Sequence, residues 1–439
     1  MRVLHTSDWH LGQHFIGKTR EQEHRLFLDW LLDTIRQQHV DAVVVAGDIF
    51  DTGVPPSYAR TLYNQFIVDL QQTGSGGCQL VVLGGNHDSV ATLHESRSLL
   101  SCLNTHVIGA ATQEPECQVV VLHDRSNRAG AVLCAVPYIR ARDVMSSRAG
   151  DSGDDKQQAL LTAMTTHYRM VYELAEQQAK AQNLPVIATG HLTTVGGKLS
   201  ESVRDLYIGT LSAFPASAFP PADYIALGHL HRAQKVSDHE HIRYSGSPIP
   251  LSFDECSSAK QVLLVDFDGG SLSQITEVEV PQFRKLVSLK GDLETIKAGL
   301  QELAAQKSES DLEPWVEIVV DDRNWISDLQ SEIETVTEEL PLAVLRVRRK
   351  RQESSSGLVQ EEKETLAELK VEEVFARRLK MMDLDEQTSG QLSEAFALLV
   401  AELEDDRVSG DAVPEDAVPE EDAVPESVVT RRLQEETEQ

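Results

Sequence analysis

Leu80-Val81-Val82-Leu83-Gly84-Gly85-Asn86-His87-Asp88 is the stretch on which the fold turns. Four apolar residues predict a short buried strand, and two glycines allow a sharp turn with close backbone approach. Three polar residues follow that can bind a metal or move a proton. Alone, Asn-His-Asp in a turn is ordinary turn chemistry. The same design recurs, however, as Val3-Leu4-His5-Thr6-Ser7-Asp8-Trp9-His10, Ala42-Val43-Val44-Val45-Ala46-Gly47-Asp48, Val186-Ile187-Ala188-Thr189-Gly190-His191 and Tyr224-Ile225-Ala226-Leu227-Gly228-His229-Leu230-His231. Five strands are expected to end at one place.

Outward from these strands the chain alternates with helical spacing. Leu26, Phe27, Trp30, Leu31 and Ile35 predict a helix over 22–38, and Leu62, Phe66 and Leu70 one over 58–72, which gives a βαβ rhythm. A further helix is expected over 160–182, with exposed loops at 74–77 and 150–155. After His231, apolar runs at 242–244 and 261–267 suggest antiparallel strands completing a second sheet. A boundary falls near Pro281. Beyond it, strand-like 285–289, 315–320 and 343–347 alternate with helix-like 293–305 and 326–336, a β-α-β-α-β pattern without metal ligands of its own. Residues 365–380 and 389–404 show amphipathic helical spacing. The repeats Asp411-Ala-Val-Pro-Glu, Asp416-Ala-Val-Pro-Glu and Asp422-Ala-Val-Pro-Glu are too acidic and proline-rich to form a core, so 406–439 is expected to be a disordered tail.

A formal net charge of -30 argues at first against a nucleic-acid enzyme. From Gln352 to Gln439, however, 25 acidic residues stand against 8 basic ones, so much of the acidity belongs to the C-terminal segment. Bound divalent cations would also invert the local field at a carboxylate-rich site. DNA is therefore not excluded as a substrate. Cys78, Cys102, Cys117, Cys134 and Cys256 are scattered and never spaced Cys-x-x-Cys, which argues against a disulfide framework and against a thiolate zinc site. No run approaches the ~18 apolar residues of a membrane span. The expectation is a soluble, cytoplasmic protein with no membrane contact.

Asp8, His10, Asp48, Asn86, His191, His229 and His231 together offer imidazole nitrogens, carboxylate oxygens and an amide oxygen, a set suited to two divalent ions of Mn²⁺ or Fe²⁺ character. Seven ligands suffice for two sites if one carboxylate bridges, and Asp48 is the natural bridge. Two ions ~3.5–4 Å apart would clamp the attacking and leaving oxygens of a phosphate ester. A histidine at one strand end is usually structural, but five coincident cases point to chemistry. His87, next to Asn86, is the candidate proton donor, oriented by a carboxylate such as Asp51 or Asp88. His5, His14 and His24 do not fit the pattern and read as ordinary or substrate-facing residues. The run Arg346, Arg348, Arg349, Lys350, Arg351 reads as a solvated strand end, and is the best basic candidate for DNA on the appended unit. Alternatives are a small-molecule phosphodiesterase on the same site and a non-catalytic scaffold. Intact residues at all seven positions speak against the latter.

Asp8-Trp-His10, Gly47-Asp48-Ile-Phe-Asp51, Gly85-Asn86-His87-Asp88, Gly190-His191 and Gly228-His229-Leu-His231 resemble the five motifs of the calcineurin-like metallophosphoesterases. With the stretch Phe50 to Arg60, they most resemble the bacterial DNA end-processing nucleases of that family, over residues 1 to about 404. The resemblance implies an α/β fold with a two-layer β-sandwich flanked by helices (1–281) and a small capping domain (282–351). It also implies C-terminal helices (352–405) that grip an ABC ATPase of the SbcC type. The activity implied is Mn²⁺-dependent 3′-to-5′ exonuclease action on duplex ends and endonuclease action on single strands and hairpins, in repair and recombination. A homodimer of the nuclease subunit within a heterotetramer is implied as well. One ion would take Asp8, His10, Asp48 and His231, the other Asp48, Asn86, His191 and His229, leaving His87 free to act on the phosphate.

Overall fold

The first strand, β1 (Arg2–Thr6), leads through a small hairpin of β2 (His14–Phe15) and β3 (Lys18–Thr19) into α1 (Glu21–Gln37). The chain continues through β4 (Ala42–Val45), α2 (Ser57–Gln72), β5 (Gln79–Leu83), the short helices α3 (Val90–His94) and α4 (Arg97–Ser101), and β6 (Thr105–Ile108). Then come β7 (Val119–His123), β8 (Ala129–Cys134), α5 (Ala141–Val144), α6 (Gly153–Gln182), β9 (Val186–His191) and β10 (Tyr224–Gly228). Two hairpins close the large domain, β11 (Gln234–Val236) with β12 (His239–Tyr244), and β13 (Lys260–Asp268) with β14 (Ser271–Val280). The smaller unit is β15 (Leu286–Gly291), α7 (Leu293–Ala305), β16 (Trp315–Val320), α8 (Leu329–Thr337) and β17 (Ala343–Arg349). This computed structural model describes residues 1–72, 77–145, 153–195, 213–305, 312–320, 329–338 and 340–349. The amphipathic segments and acidic repeats expected beyond Arg351 lie outside the described residues.

Two six-stranded sheets result, ordered β14-β13-β1-β4-β5-β6 and β11-β12-β10-β9-β8-β7. The strands read from the sequence are apolar on both faces because both faces are covered. With a side-chain period of two, Val3, Val44, Val81, Ile187 and Ala226 fall in the core between the sheets. Leu4, Val43 and Val82 pack outward with Phe27, Leu31 and Ile35 of α1 and with Leu62, Phe66 and Leu70 of α2. On the second sheet, Val132, Ala188 and Ile225 pack with Met164, Tyr168 and Val171 of α6. The order of layers is helix, sheet, sheet, helix.

β1, β4, β5 and β6 run parallel in the first sheet, as do β8, β9, β10 and β12 in the second. All five motifs follow strands of these parallel sets, at their C-terminal ends, the usual place for a ligand crevice in α/β sheets.

Some local expectations are corrected. α6 begins at Gly153, inside the stretch expected to be loop, since Asp154, Asp155 and the residues after them continue a helix whose apolar stripe starts only at Leu160. The two runs after His231 do not complete one sheet. β12 joins the second sheet, parallel to β10, while β13 pairs antiparallel with β1 and extends the first. The runs alone show a strand period; which edge each occupies is decided by the edges left open.

The small sheet β15-β16-β17 is parallel throughout and packs α7 and α8 around Ile296, Leu300, Val316, Ile318 and Ile333. It is held to the large domain by Phe15, Phe253, Leu286 and Trp315, with Phe15 and Trp315 stacked at 5.6 Å between centroids. Arg284 adds a buried ion pair, its Nε 3.1 Å from Glu23 Oε2, and lies over the Trp315 ring. Arg346 and Arg348 of β17 both pair with buried Glu317, so these two members of the basic run are engaged within their own sheet.

Candidate metal centre

Three of the five motifs turn their polar side chains out of extended geometry just past their strands, whereas His191 is the last residue of β9 itself. Asp8 (φ 54°), His10 (φ 46°), Asp48 (φ 52°) and His229 (φ 97°) all occupy the left-handed region that L-residues rarely adopt. Such strain costs on the order of 1–3 kcal/mol per residue and clusters at functional sites. The glycines admit the close approaches. A Cβ on Gly85 would collide with Asp48 Oδ1, and one on Gly47 (φ 95°) with the His191 ring.

Asp8, His10 and His231 converge with ligand-type atoms within 4.8 Å of one another. Asp48, His191 and His229 form a second such group, and His10, Asp48 and His87 a third that links them. Asn86 joins the second group, its Oδ1 2.9 Å from His191 Nε2. All seven candidate ligands therefore stand in one cluster, with Asp48 between the two halves. Asp48 Oδ2 lies 3.6 Å from His10 Nε2 and 3.2 Å from His191 Nε2.

The donor set fits two divalent cations. His10 Nε2, Asp48 Oδ2 and His229 Nε2 are buried and have no hydrogen-bond partner among the described residues. Buried polar atoms are normally satisfied, so three orphans within this cluster of ligand-type side chains fit a place built for positive charge. Electrostatics agree. Burial disfavours the Asp48 carboxylate, yet the imidazoles of His191 and His10 outweigh it and hold the group well below the usual carboxylate range. Burial disfavours the His191 imidazolium, yet Asp48 outweighs it and lifts the group to about 9.

Behind these atoms the main chain fixes ring orientation. The His191 Nδ1–H donates to Ala46 O at 2.9 Å, leaving Nε2 for a ligand role. The His229 amide donates to both oxygens of Asp8, at 2.9 and 3.1 Å, and Ser7 Oγ donates to Asp8 Oδ2.

His87 sits at the rim, partly exposed, with its ring 4.7 Å from that of His10. The orientation expected from a carboxylate is corrected. His87 Nδ1 lies 2.7 Å from the main-chain oxygen of Asp51, whereas the Asp51 carboxylate stands 3.1 Å from His10 Nδ1. Asp88 faces inward, its oxygens accepting from the amides of Gly85, Ile49 and Phe50 at 2.8–3.1 Å. It ties two motif turns together. Asp88→Ala should leave these three amides unsatisfied and cost ~1–3 kcal/mol for each one that water cannot reach. A fall in melting temperature together with weakened metal retention is expected, measured by calorimetry with and without chelator. Asp88→Asn, which keeps one acceptor oxygen, should fall less.

His5 lies between the sheets, with Nδ1 2.9 Å from Tyr224 Oη and Nε2 3.2 Å from Leu227 O, and burial pushes it down to about 3. His14 is exposed on the small hairpin and His24 is a fully buried residue of α1. Sequence reasoning missed Glu255, whose Oε1 lies 3.6 Å from His231 Nδ1, and Ser7 with Ser245, which hydrogen-bond behind Asp8. No local pattern marks them, because their roles depend on loops that meet only in three dimensions.

Residues 1–233 match the calcineurin-like phosphoesterase family, and residues 282–383 match the family described as type 5 capsule protein repressor C-terminal domain. The chain is 53% identical over 396 residues to the D component of the nuclease SbcCD of Escherichia coli strain K12, covering 90% of this chain and 97% of that one. It is 33% identical to the proteins of the same name from Rhodobacter capsulatus, over 78% of this chain and 85% of that one, and from Bacillus subtilis, over 71% and 78%. The chain therefore belongs to the calcineurin-like phosphoesterases, in the branch that holds the D components of the SbcCD nucleases.

Proposed function

We propose that the protein is a Mn²⁺-dependent DNA nuclease that cleaves duplex ends exonucleolytically, and single strands and hairpins endonucleolytically. The single observation that carries the reading is the orphaned Asp48 Oδ2 between two clusters of metal-type side chains. Asp8, His10, Asp48 and His231 would hold one ion, and Asp48, Asn86, His191 and His229 the other. When bound, the ions supply Lewis-acid stabilisation of the phosphoryl oxygens and activate the attacking water. The chain's own residues do the rest. Asp48 and the surrounding imidazoles fix the positions, and His87 stands where a scissile phosphate would lie. Its Nδ1–H donates to Asp51 O, so a proton for the leaving oxygen comes from the other ring nitrogen.

The names of the relatives support a partner complex, and we propose that the partner is an ABC ATPase of the SbcC type, in a cytoplasmic heterotetramer built on a dimer of this chain. Among the described residues no helix is long and apolar enough to cross a membrane. Residues 352–405, apolar at Leu366, Leu369, Val374, Leu379, Phe396 and Leu399, are proposed to bind that ATPase. Truncation after Arg351 should abolish co-purification with it and leave metal stoichiometry unchanged. A truncated chain that still co-purifies would remove the segment from this role.

The deciding experiment incubates the purified protein, with and without the ATPase, on end-labelled duplex and hairpin DNA in Mn²⁺. Cleavage of both is expected. Hydrolysis of an aryl phosphodiester without cleavage of either DNA would favour a small-molecule phosphodiesterase.

A further inference from the structure

The carboxylate beside His231 belongs to a segment that the capping unit grips. Glu255 is fully buried and lies in the short 3₁₀ turn Phe253–Glu255. Its Oε1 faces His231 Nδ1 at 3.6 Å and accepts from Ser252 Oγ at 3.1 Å. Its Oε2 pairs with Lys260 Nζ at 2.6 Å and accepts from the Leu251 amide at 3.1 Å. The same Lys260 Nζ donates to the main-chain oxygen of His231 at 2.9 Å and to Ser247 Oγ at 2.8 Å. Ring and backbone of His231 are thus tied to one buried ion pair. A carboxylate facing Nδ1 favours the tautomer with its proton there, leaving Nε2 as the lone pair for a metal.

Two residues earlier on the turn, Phe253 is buried edge-on against Phe15, at 5.1 Å between centroids, in the cluster completed by Leu286 and Trp315 of the capping unit. Arg346 of the capping unit's last strand lies 5.9 Å over the Phe253 ring. A buried ion pair is costly unless its geometry is held closely, and here one wall of the holding structure comes from β15 and β16 of the small sheet.

We infer that Glu255 is the positioning residue of the metal ligand His231, and that the capping unit, through Phe253, sets where Glu255 stands. The unit therefore governs the affinity of one of the two metal positions. This rests on His231 being a ligand, as proposed above.

The test is Mn²⁺ binding to the full chain, followed by equilibrium dialysis and by electron paramagnetic resonance of free Mn²⁺. Glu255→Gln should weaken one of the two positions by ~10–100-fold, the usual cost of losing a group that orients a metal ligand, and leave the other near wild type. Glu255→Asp keeps the charge opposite Lys260 but is one methylene short of His231. It should show the same one-site loss, and it decides the matter if Glu255→Gln fails to fold by circular dichroism. Trp315→Ala, in the capping unit, should weaken the same position. Wild-type affinity at both positions in Glu255→Asp overturns the role of Glu255. One-site loss in Glu255→Asp with none in folded Trp315→Ala overturns the coupling. His231→Ala separates the two levels: if it retains both ions at wild-type affinity, the ligand assignment itself fails; if it loses one while the Glu255 variants lose none, only the present inference does.

Discussion

Asp48→Ala is expected to lose both metal ions and, with them, nearly all hydrolytic activity. One oxygen of Asp48 faces His10 and His191 from between the two ligand groups, and the other accepts the His87 amide at 2.9 Å. Removing the side chain takes away the shared ligand and also frees the turn that presents Asn86 and His87. Each ion, when bound, would supply several kcal/mol of charge stabilisation to a transferring phosphoryl group, and each ~1.4 kcal/mol is tenfold in rate, so the loss should be roughly 10⁵-fold or more. His231→Ala touches one group only and should keep one position at least partly filled. Manganese stoichiometry by elemental analysis, beside single-turnover cleavage, tests the contrast. Equal metal content in the two variants would take the bridging role away from Asp48.

His87→Ala should separate chemistry from metal binding. The residue stands at the rim, its main chain anchored to Asp48 and its Nδ1 to the Asp51 carbonyl, so the ring is oriented before substrate arrives. A positioned general acid is typically worth ~10²–10⁴ in rate, and that is the loss expected in kcat. His87→Gln should recover little, because an amide hydrogen-bonds but delivers no proton at neutral pH. Folding, DNA affinity and manganese content should stay near wild type in both variants. The third ligand-type group, His10 with Asp48 and His87, sharpens the test, since geometry alone would allow His87 to touch an ion. Loss of an ion in His87→Ala would make it a ligand. An intact metal count with unchanged kcat would remove it from proton transfer.

Loss of either ion has a structural side as well. The buried ligand-type atoms are surrounded by strained backbone at Asp8, His10, Asp48 and His229. That strain is stored by the two sheets, whose cores over-determine the turns. Chelator should therefore abolish cleavage more readily than it unfolds the chain, because the sheets do not depend on the ions for their packing.

By itself the sequence determined the strands, the turns and the kinds of side chain at their ends. An apolar run as short as Ala42–Val45, bounded by turn residues, reads as a strand covered on both faces, and Gly47-Asp48 after it favours a turn that aims a carboxylate out of the sheet. These are local signals, set by a period of two and by backbone sterics. Five of them in one chain sufficed to predict the meeting of Asp8, His10, Asp48, Asn86, His191, His229 and His231. Only the tertiary structure decided what stands behind those residues. Asp51 serves His10 with its carboxylate and His87 with its carbonyl, Asp88 turns inward to three amides, and Glu255 reaches His231 from a turn fixed by Phe253. It likewise decided that β12 and β13 part to different sheets. The reason is common to all of these. A hydrogen bond between groups far apart in the chain, or the choice of a sheet edge, depends on which surfaces remain open after the local elements form, and no spacing along the chain records that.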